Sequence, residues 1–180
     1  MSKEAAPARY HPALVTLHWV VALLIFLMLA VGKLVLLMMP NTAAKVMPLT
    51  SHVVFGITIL VLLVIRFIVR VTTKKPSPAD AGHPLLNKIG VATHYLLYLA
   101  AFGMVLSGLG MAQMSNLFQI LFGNAGLSLP EDFWVYPPRV GHGVTATVLL
   151  LLIALHLGAA LYHQFIRKDN LLARMWFGKR

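Results

Sequence analysis

Four long apolar stretches, separated by short polar segments, dominate the hydropathy pattern of this chain. They cover approximately residues 13–37, 50–71, 87–111 and 139–166. Each has the length of about 20 residues that a helix needs to cross a bilayer. A further apolar segment at 115–122 is too short to span and predicts an interfacial or re-entrant helix. The pattern therefore predicts an all-α, transmembrane four-helix bundle, a single integral membrane domain over residues 1–180.

Composition supports a membrane protein and excludes several kinds of site. Apolar residues make up 59% of the chain, charged residues make up 11%, and the mean hydropathy is +0.80. Because the chain has no cysteine, disulfides, iron–sulfur clusters, thiolate-bound metals and covalently attached haem are excluded. The net charge of +10 comes from basic residues near the span ends rather than from one soluble basic face. Nucleic-acid binding is therefore not favoured.

The distribution of basic residues predicts the orientation of the bundle. Four spans place both termini on one side, and twelve of the fifteen Lys and Arg residues lie on that side. The twelve are Lys3, Arg9, Arg66, Arg70, Lys74, Lys75, Lys88, Arg167, Lys168, Arg174, Lys179 and Arg180. The opposite loops hold Lys33, Lys45 and Arg139. The positive-inside rule therefore places both termini in the cytoplasm.

Histidines in the spans fall at two depths under this topology. The last span carries His142 near its outer start and His156 fourteen residues later. On a helix these two lie about 21 Å apart along the axis and within roughly 40° of one face. His52 begins the second span at the outer level, and His18 begins the first span at the inner level. Depth therefore pairs His52 with His142 and His18 with His156.

Two imidazoles from facing helices are what a b-type haem requires as axial ligands. Small residues stand next to each candidate ligand or about one turn away, which leaves room for a wide macrocycle. They are Ala22, Gly56, Gly143, Ala146, Ala159 and Ala160. Two alternatives stay open: histidines that only form hydrogen bonds between helices, and a zinc or copper site. The metal alternative lacks a nearby Cys, Asp or Glu to complete four ligands.

Other polar residues have secondary candidate roles. His94 lies at the inner level, where it replaces His18 as ligand, contacts a haem propionate, or simply packs. His163 lies about two turns beyond His156 and is a candidate proton-relay or quinone site. Arg66 and Arg70 are either partners of inner-haem propionates or membrane anchors. The proline-flanked residues His11 and His83 are expected to be solvated.

Several local motifs together resemble a known family. They are Leu17-His18-Trp19, Ser51-His52 before a glycine, Gly141-His142, Leu155-His156 ahead of Tyr162-His163, and Lys168-Asp169-Asn170-Leu171-Leu172. The chain is similar to the bacterial cytochrome b561 family along nearly its whole length. The resemblance implies two non-covalent b haems with His18, His52, His142 and His156 as the iron ligands. It also implies a multi-pass protein of the bacterial inner membrane.

The resemblance implies electron transfer with ubiquinone as the membrane-side partner. Some members of this branch resemble superoxide:ubiquinone oxidoreductases, so superoxide is the favoured donor at the outer face. Lys33, Lys45 and Arg139 would attract an anion there, opposed by Glu131 and Asp132. One alternative is a haem b anchor subunit that passes electrons from a dehydrogenase or hydrogenase partner to quinone. Another is a non-redox membrane protein with structural histidines.

A reduced-minus-oxidised absorption spectrum of the purified protein tests the cytochrome hypothesis. We expect b-type bands and, from four axial ligands, about two haems per chain in a pyridine haemochrome assay. A colourless preparation would contradict the hypothesis and favour the non-redox alternative.

Overall fold

All regular structure in the described part of the chain is helical. A computed structural model describes residues 6–123 and 126–178. Its α-helices are α1 (Pro12–Ala30), α2 (Val46–Thr72), α3 (Pro84–Met114), α4 (Leu117–Phe122), α5 (Pro137–Leu161) and α6 (Leu171–Arg174). Short 3-10 turns, Ala43–Lys45 and Phe133–Val135, precede α2 and α5.

Four continuous helical segments are long and apolar enough to cross a membrane. They are Pro12–Leu36, Ala43–Thr72, Pro84–Met114 and Pro137–Arg167. The all-α bundle with four spans is therefore confirmed as the fold class. The short helix α4 lies within the 115–122 segment for which an interfacial helix is predicted. Asn116 separates α4 from α3 by adopting a left-handed backbone conformation, with φ of 52°.

The packing order of the long helices leaves space around α5. Helix α1 packs on α2, α2 on α3, and α3 most extensively on α5. By comparison, α5 makes few close backbone contacts with α1 or α2. One cluster of buried apolar residues, including Leu36, Leu49 and Phe133, closes the end near α4. A second cluster, including Val21 and Ile59, fills the middle of the bundle.

The starts of two helices use the same local motif, which the sequence interpretation did not identify. His11 and His83 each precede a proline at the first helical position. Their Nδ1 atoms accept hydrogen bonds from the backbone N–H of Ala13 and Leu85, both at 3.2 Å. Each histidine therefore satisfies one of the donors that a helix start leaves without a partner. His11 and His83 therefore cap helices, a role that the sequence interpretation, which expected them only to be solvated, did not include.

The second span begins earlier than its capping pattern predicts. Thr50 and Ser51 are good N-cap residue types, but α2 already begins at Val46. Their hydroxyls instead donate to carbonyls one turn back, those of Val46 and Met47. The 3-10 turn Ala43–Lys45 leads directly into α2 and adds the extra turns.

Two spans end in π-helical turns. The segment Val31–Leu36 continues α1, and the segment Tyr162–Arg167 continues α5. A π turn contains more residues than an α turn, so it changes which side chains face the bundle. Such turns are rare and are frequent at functional sites. The first contains Gly32, which lies beside His52, and the second contains the buried His163.

The tail after α5 folds back onto the start of α1. The backbone N–H of Tyr10 donates to the carbonyl of Arg174 at 3.0 Å. The indole N–H of Trp19 donates to the carbonyl of Met175 at 2.9 Å, and its ring meets Trp176 edge to face. The Arg174 guanidinium donates to the carbonyl of Ser77 in the loop between α2 and α3. The two ends of the described chain thus meet at the end of the bundle that holds His18.

Candidate functional site

His52 and His142 face each other at the end of the bundle near α4. Their ring centres are 6.3 Å apart and their planes are 73° apart. The Nδ1 atom of His142 lies 3.0 Å from the carbonyl oxygen of Met104 and 3.2 Å from the hydroxyl of Ser107. Because a carbonyl can only accept, Nδ1 carries the proton, and in the neutral ring Nε2 keeps a free lone pair. This tautomer is the one that binds a metal through Nε2.

The His52–His142 pair, called the outer pair after the orientation predicted from the sequence, opens onto a large cavity. Its volume is about 960 Å³, and its lining includes His52, Gly56, His142 and Ala146. A Cβ atom added to Gly56 would meet nothing within 4 Å, so this helix face borders open space. The Nδ1 atom of His52 is buried and has no hydrogen-bond partner among the described residues. The pair therefore combines available imidazole nitrogens with room for a large cofactor.

Small residues let neighbouring helices approach the two outer imidazoles. A Cβ atom on Gly108 of α3 would lie 3.2 Å from Cε1 of His142, which is closer than most real Cβ contacts. A Cβ atom on Gly32 would lie 3.6 Å from Cε1 of His52. The absence of a side chain at Gly108 therefore lets the His142 ring take its position. A side chain at position 32 would make only an ordinary van der Waals contact with His52. The sequence interpretation missed the roles of Ser107 and Gly108, although the Gly-rich half of the third span was a visible signal.

The inner level brings together three imidazoles. The ring centres of His18 and His156 are 6.3 Å apart, the same separation as in the outer pair, and their planes are 68° apart. His94 lies 5.3 Å from His156 at 84°. Its Nδ1 atom is 2.7 Å from the carbonyl of Gly90, within its own helix. The structure thus places both His18 and His94 beside His156.

Arg66 adds a cation at the inner level. Its guanidinium donates to the hydroxyl of Tyr98 and lies over the Tyr98 ring. One of its nitrogens is 3.3 Å from Nδ1 of His18. Since Arg can only donate, this contact requires an unprotonated Nδ1 on His18, so the proton of the neutral ring lies on Nε2. Binding of a metal through Nε2 of His18 would therefore require this contact to break. Arg70 is not joined to the histidines by a direct contact within the described structure.

His163 lies apart from both pairs and has its own acidic partner. Its side chain is buried, and Nδ1 is 2.6 Å from a carboxylate oxygen of Asp169. Burial alone would raise the pKa of Asp169, but the hydrogen bond from His163 helps to hold that pKa below its usual value. Lys168 and Asn170, on either side of Asp169, both have left-handed backbone conformations. Asp169 belongs to a motif used in the sequence interpretation, but its pairing with His163 was not predicted.

The separation of the facing rings restricts the cofactors that fit. Two imidazole nitrogens that bind one metal from opposite sides, each at about 2 Å, bring the ring centres to roughly 6 Å. Both pairs match this spacing at 6.3 Å, whereas the His94–His156 distance is shorter. Within residues 6–123 and 126–178 no three His, Asp or Glu side chains are grouped to hold a metal ion. A two-imidazole site therefore suits a cofactor that supplies further ligands itself, as a porphyrin does.

Comparison with known proteins agrees with this chemistry. The profile of the prokaryotic cytochrome b561 family matches residues 9–178. The chain belongs to the prokaryotic cytochrome b561 family. It is 25% identical to a probable superoxide oxidase CybB of Yersinia pestis, over 96% of this chain and 98% of that protein. It is 27% identical to cytochrome b561 homolog 1 of Escherichia coli, over 93% and 96%. It is 29% identical to a cytochrome b562 of Cereibacter sphaeroides, over 89% and 90%.

Membership of the cytochrome b561 family establishes the general class of chemistry. The protein is a multi-pass bacterial membrane cytochrome that binds b-type haem and takes part in electron transfer. The assignment of His18, His52, His142 and His156 as iron ligands stays a prediction, as does the number of haems. Two contacts at the inner end were not predicted from the sequence. One joins Tyr98 to Arg66, and the other joins Asp169 to His163.

Replacement of Gly108 by Ala tests how tightly α3 positions the outer imidazole. The added methyl group would press on the His142 ring, and crowding of this kind typically costs about 1–3 kcal/mol. We expect about half of the bound haem to be lost, as measured by pyridine haemochrome content per chain. Gly103→Ala is the matched control, because its Cβ would lie 3.7 Å from Thr145 in ordinary contact. Equal haem content in the two variants would contradict the positioning role.

Proposed function

We propose that this cytochrome b561 family member transfers electrons from a one-electron donor at its outer face to ubiquinone, with superoxide as the favoured donor. The observation that carries the proposal is the presence of two facing imidazole pairs with the same 6.3 Å separation. Each pair joins α5 to a different helix, and the two α5 histidines are about 21 Å apart along the axis. Two redox centres at those levels would cover most of the apolar thickness of a bilayer.

The candidate ligands are His52 and His142 for an outer haem, and His18 and His156 for an inner haem. Bound haem supplies reversible one-electron chemistry of its iron. The chain's own contribution is to hold each imidazole in place and to exclude water. Met104 fixes the His142 tautomer through its carbonyl, and apolar helices surround both levels. His94, which lies too close to His156 to match the spacing of opposite ligands, is proposed as a packing or propionate contact.

Quinone reduction needs two electrons and two protons, and His163 is the proposed proton or quinone site. Its Nδ1 atom is held by the Asp169 carboxylate, which keeps Nε2 available to accept or donate a proton. The side-chain oxygen of Gln164, next in sequence, is buried and has no partner among the described residues. An acceptor of this kind could receive a hydrogen bond from a quinol hydroxyl.

The charges at the outer end and the similarity to a probable superoxide oxidase both favour superoxide as the donor. Lys33, Lys45 and Arg139 all line the outer cavity, together with Glu131 and Asp132. A net positive cavity mouth raises the encounter rate of an anion. In the balanced reaction two superoxide ions each lose one electron to become oxygen, and one ubiquinone takes both electrons and two protons. The positive-inside rule favours an orientation with this mouth outside and both termini in the cytoplasm.

Single histidine replacements distinguish the two proposed haem sites. We expect His142→Ala to remove the outer haem and His156→Ala to remove the inner one, so each variant keeps about one haem per chain. His18→Ala should act like His156→Ala, and His94→Ala should keep both haems. The measurement is haem content with low-temperature spectra, after membrane insertion of each variant is verified. If His18→Ala retains both haems and His94→Ala does not, His94 is the inner ligand.

Stopped-flow kinetics test the donor and the acceptor together. The purified protein with a soluble ubiquinone analogue should consume superoxide faster than uncatalysed dismutation, and should produce one quinol for every two superoxide ions. His142→Ala should lose this quinone-dependent rate by at least about a hundredfold, because the outer redox centre is missing. If the wild-type protein gives no rate above the background, superoxide is not the donor.

A further inference from the structure

Lys45 is a buried cation whose charge is not balanced by an acidic residue in the described part of the chain. The residue as a whole is only 8% exposed. The ammonium donates to the carbonyl of Met39 at 2.9 Å and to the side-chain oxygen of Asn41 at 2.8 Å. Both acceptors are neutral, and the ammonium also lies 6.0 Å from the centre of the Phe133 ring, which carries no charge. An ammonium group has a third N–H to place. Burial of a charge is costly unless an opposite charge accompanies it.

The nearby carboxylates do not pair with Lys45. Glu131 and Asp132 line the same cavity but are exposed. The Asp132 carboxylate accepts from the backbone N–H of Trp134. The ion pairs formed within residues 6–123 and 126–178 involve Asp80 and Asp169, at the opposite end of the bundle. The cation at Lys45 therefore lacks a counter-charge within the described protein.

Lys45 lies on the same side of the second span as His52. It precedes His52 by seven residues, which on a helix is about 10 Å along the axis and within roughly 20° of the same face. Both residues line the outer cavity. The position is therefore about two turns from the imidazole pair, toward the cavity mouth. An anionic group at the edge of a large cofactor held by His52 would reach this region.

Arg139 approaches the same region from α5. It stands three residues, or about one turn, before His142 and also lines the cavity. Its Nη1 atom would lie 3.4 Å from a Cβ atom added to Gly143, so the guanidinium runs back along α5 toward the imidazole. The guanidinium carbon also lies 4.2 Å from the ring centre of Trp134. The cavity thus has a second cation between its mouth and the histidines.

We propose that Lys45, with Arg139 beside it, binds the propionate carboxylates of the outer haem. The inference rests on the proposed outer haem at His52 and His142 and identifies the groups that recognise its acidic edge. A permanently bound carboxylate balances the buried ammonium at all times. A diffusing anion such as superoxide would leave that charge without a partner for most of the time. With Lys45 and Arg139 balanced by the propionates, the exposed Lys33 is the basic residue of this cavity left to attract superoxide, and the cavity lining is then no longer net positive.

The test compares haem with its dimethyl ester, which lacks the two negative charges. Wild-type protein and the variants Lys45→Met, Lys45→Arg, Lys33→Met and Asn41→Ala are produced in haem-deficient cells supplied with either cofactor. The readout is the rate at which the outer haem, identified by its absence in His142→Ala, transfers to excess apomyoglobin. Loss of a charge-assisted hydrogen bond should accelerate transfer of natural haem from Lys45→Met about tenfold or more. Lys45→Arg and Lys33→Met should stay close to wild type.

The ester separates a carboxylate contact from a structural role. With the ester, wild-type protein and Lys45→Met should lose the outer haem at equal rates, because no carboxylate is present to bind. If Lys45→Met accelerates loss of both cofactors equally, or if Asn41→Ala has the same effect as Lys45→Met, the lysine only holds its loop and the inference is wrong. Unchanged haem transfer combined with slower superoxide oxidation in Lys45→Met would identify a diffusible-anion site and also overturn it. A wild-type protein without any His142-dependent haem would instead overturn the proposed function itself.

Discussion

The distance between facing imidazoles controls how the long helices of this protein can pack. An imidazole inside an apolar bundle needs a partner for its nitrogens, and here the rings stand 6.3 Å apart instead of forming a hydrogen bond with each other. Helices that carry facing rings at this spacing cannot pack closely along that face. The sparse contact of α5 with α1 and α2 follows from this separation, and the cavity beside His52 and His142 occupies the space that results.

Close packing elsewhere compensates for that space. Helices α3 and α5 form the most extensive interface, and α3 contributes the Met104 carbonyl and Gly108 to the surroundings of His142. A rigid α3–α5 pair can therefore present the α5 histidines, while α1 and α2 supply the opposite imidazoles. Helix α5 thus packs closely on α3 and borders open space toward α1 and α2. This arrangement agrees with the role of a cytochrome, which must hold a large cofactor in one orientation.

The sequence pattern was sufficient for features that depend on periodicity and composition. It predicted the four apolar helices, and depth alone paired the histidines that the structure places side by side. It did not predict features that depend on the exact local path of the chain. Thr50 and Ser51 have the residue types of a cap, but the preceding 3-10 turn extends α2 beyond them. The π turns and the pairing of His163 with Asp169 depend on backbone geometry that hydropathy does not encode.

The shared use of α5 has a consequence for biosynthesis. Helices α1, α2 and α3 can contact one another as they enter the membrane, but each histidine pair includes a residue of α5, which follows these three helices in the chain. The contacts between the segment before α1 and the tail join residues as far as 168 positions apart in sequence. Neither pair can therefore be complete until α5 has been synthesised. Cofactor capture would then belong to the final stage of assembly, when α5 closes against three helices already in the bilayer.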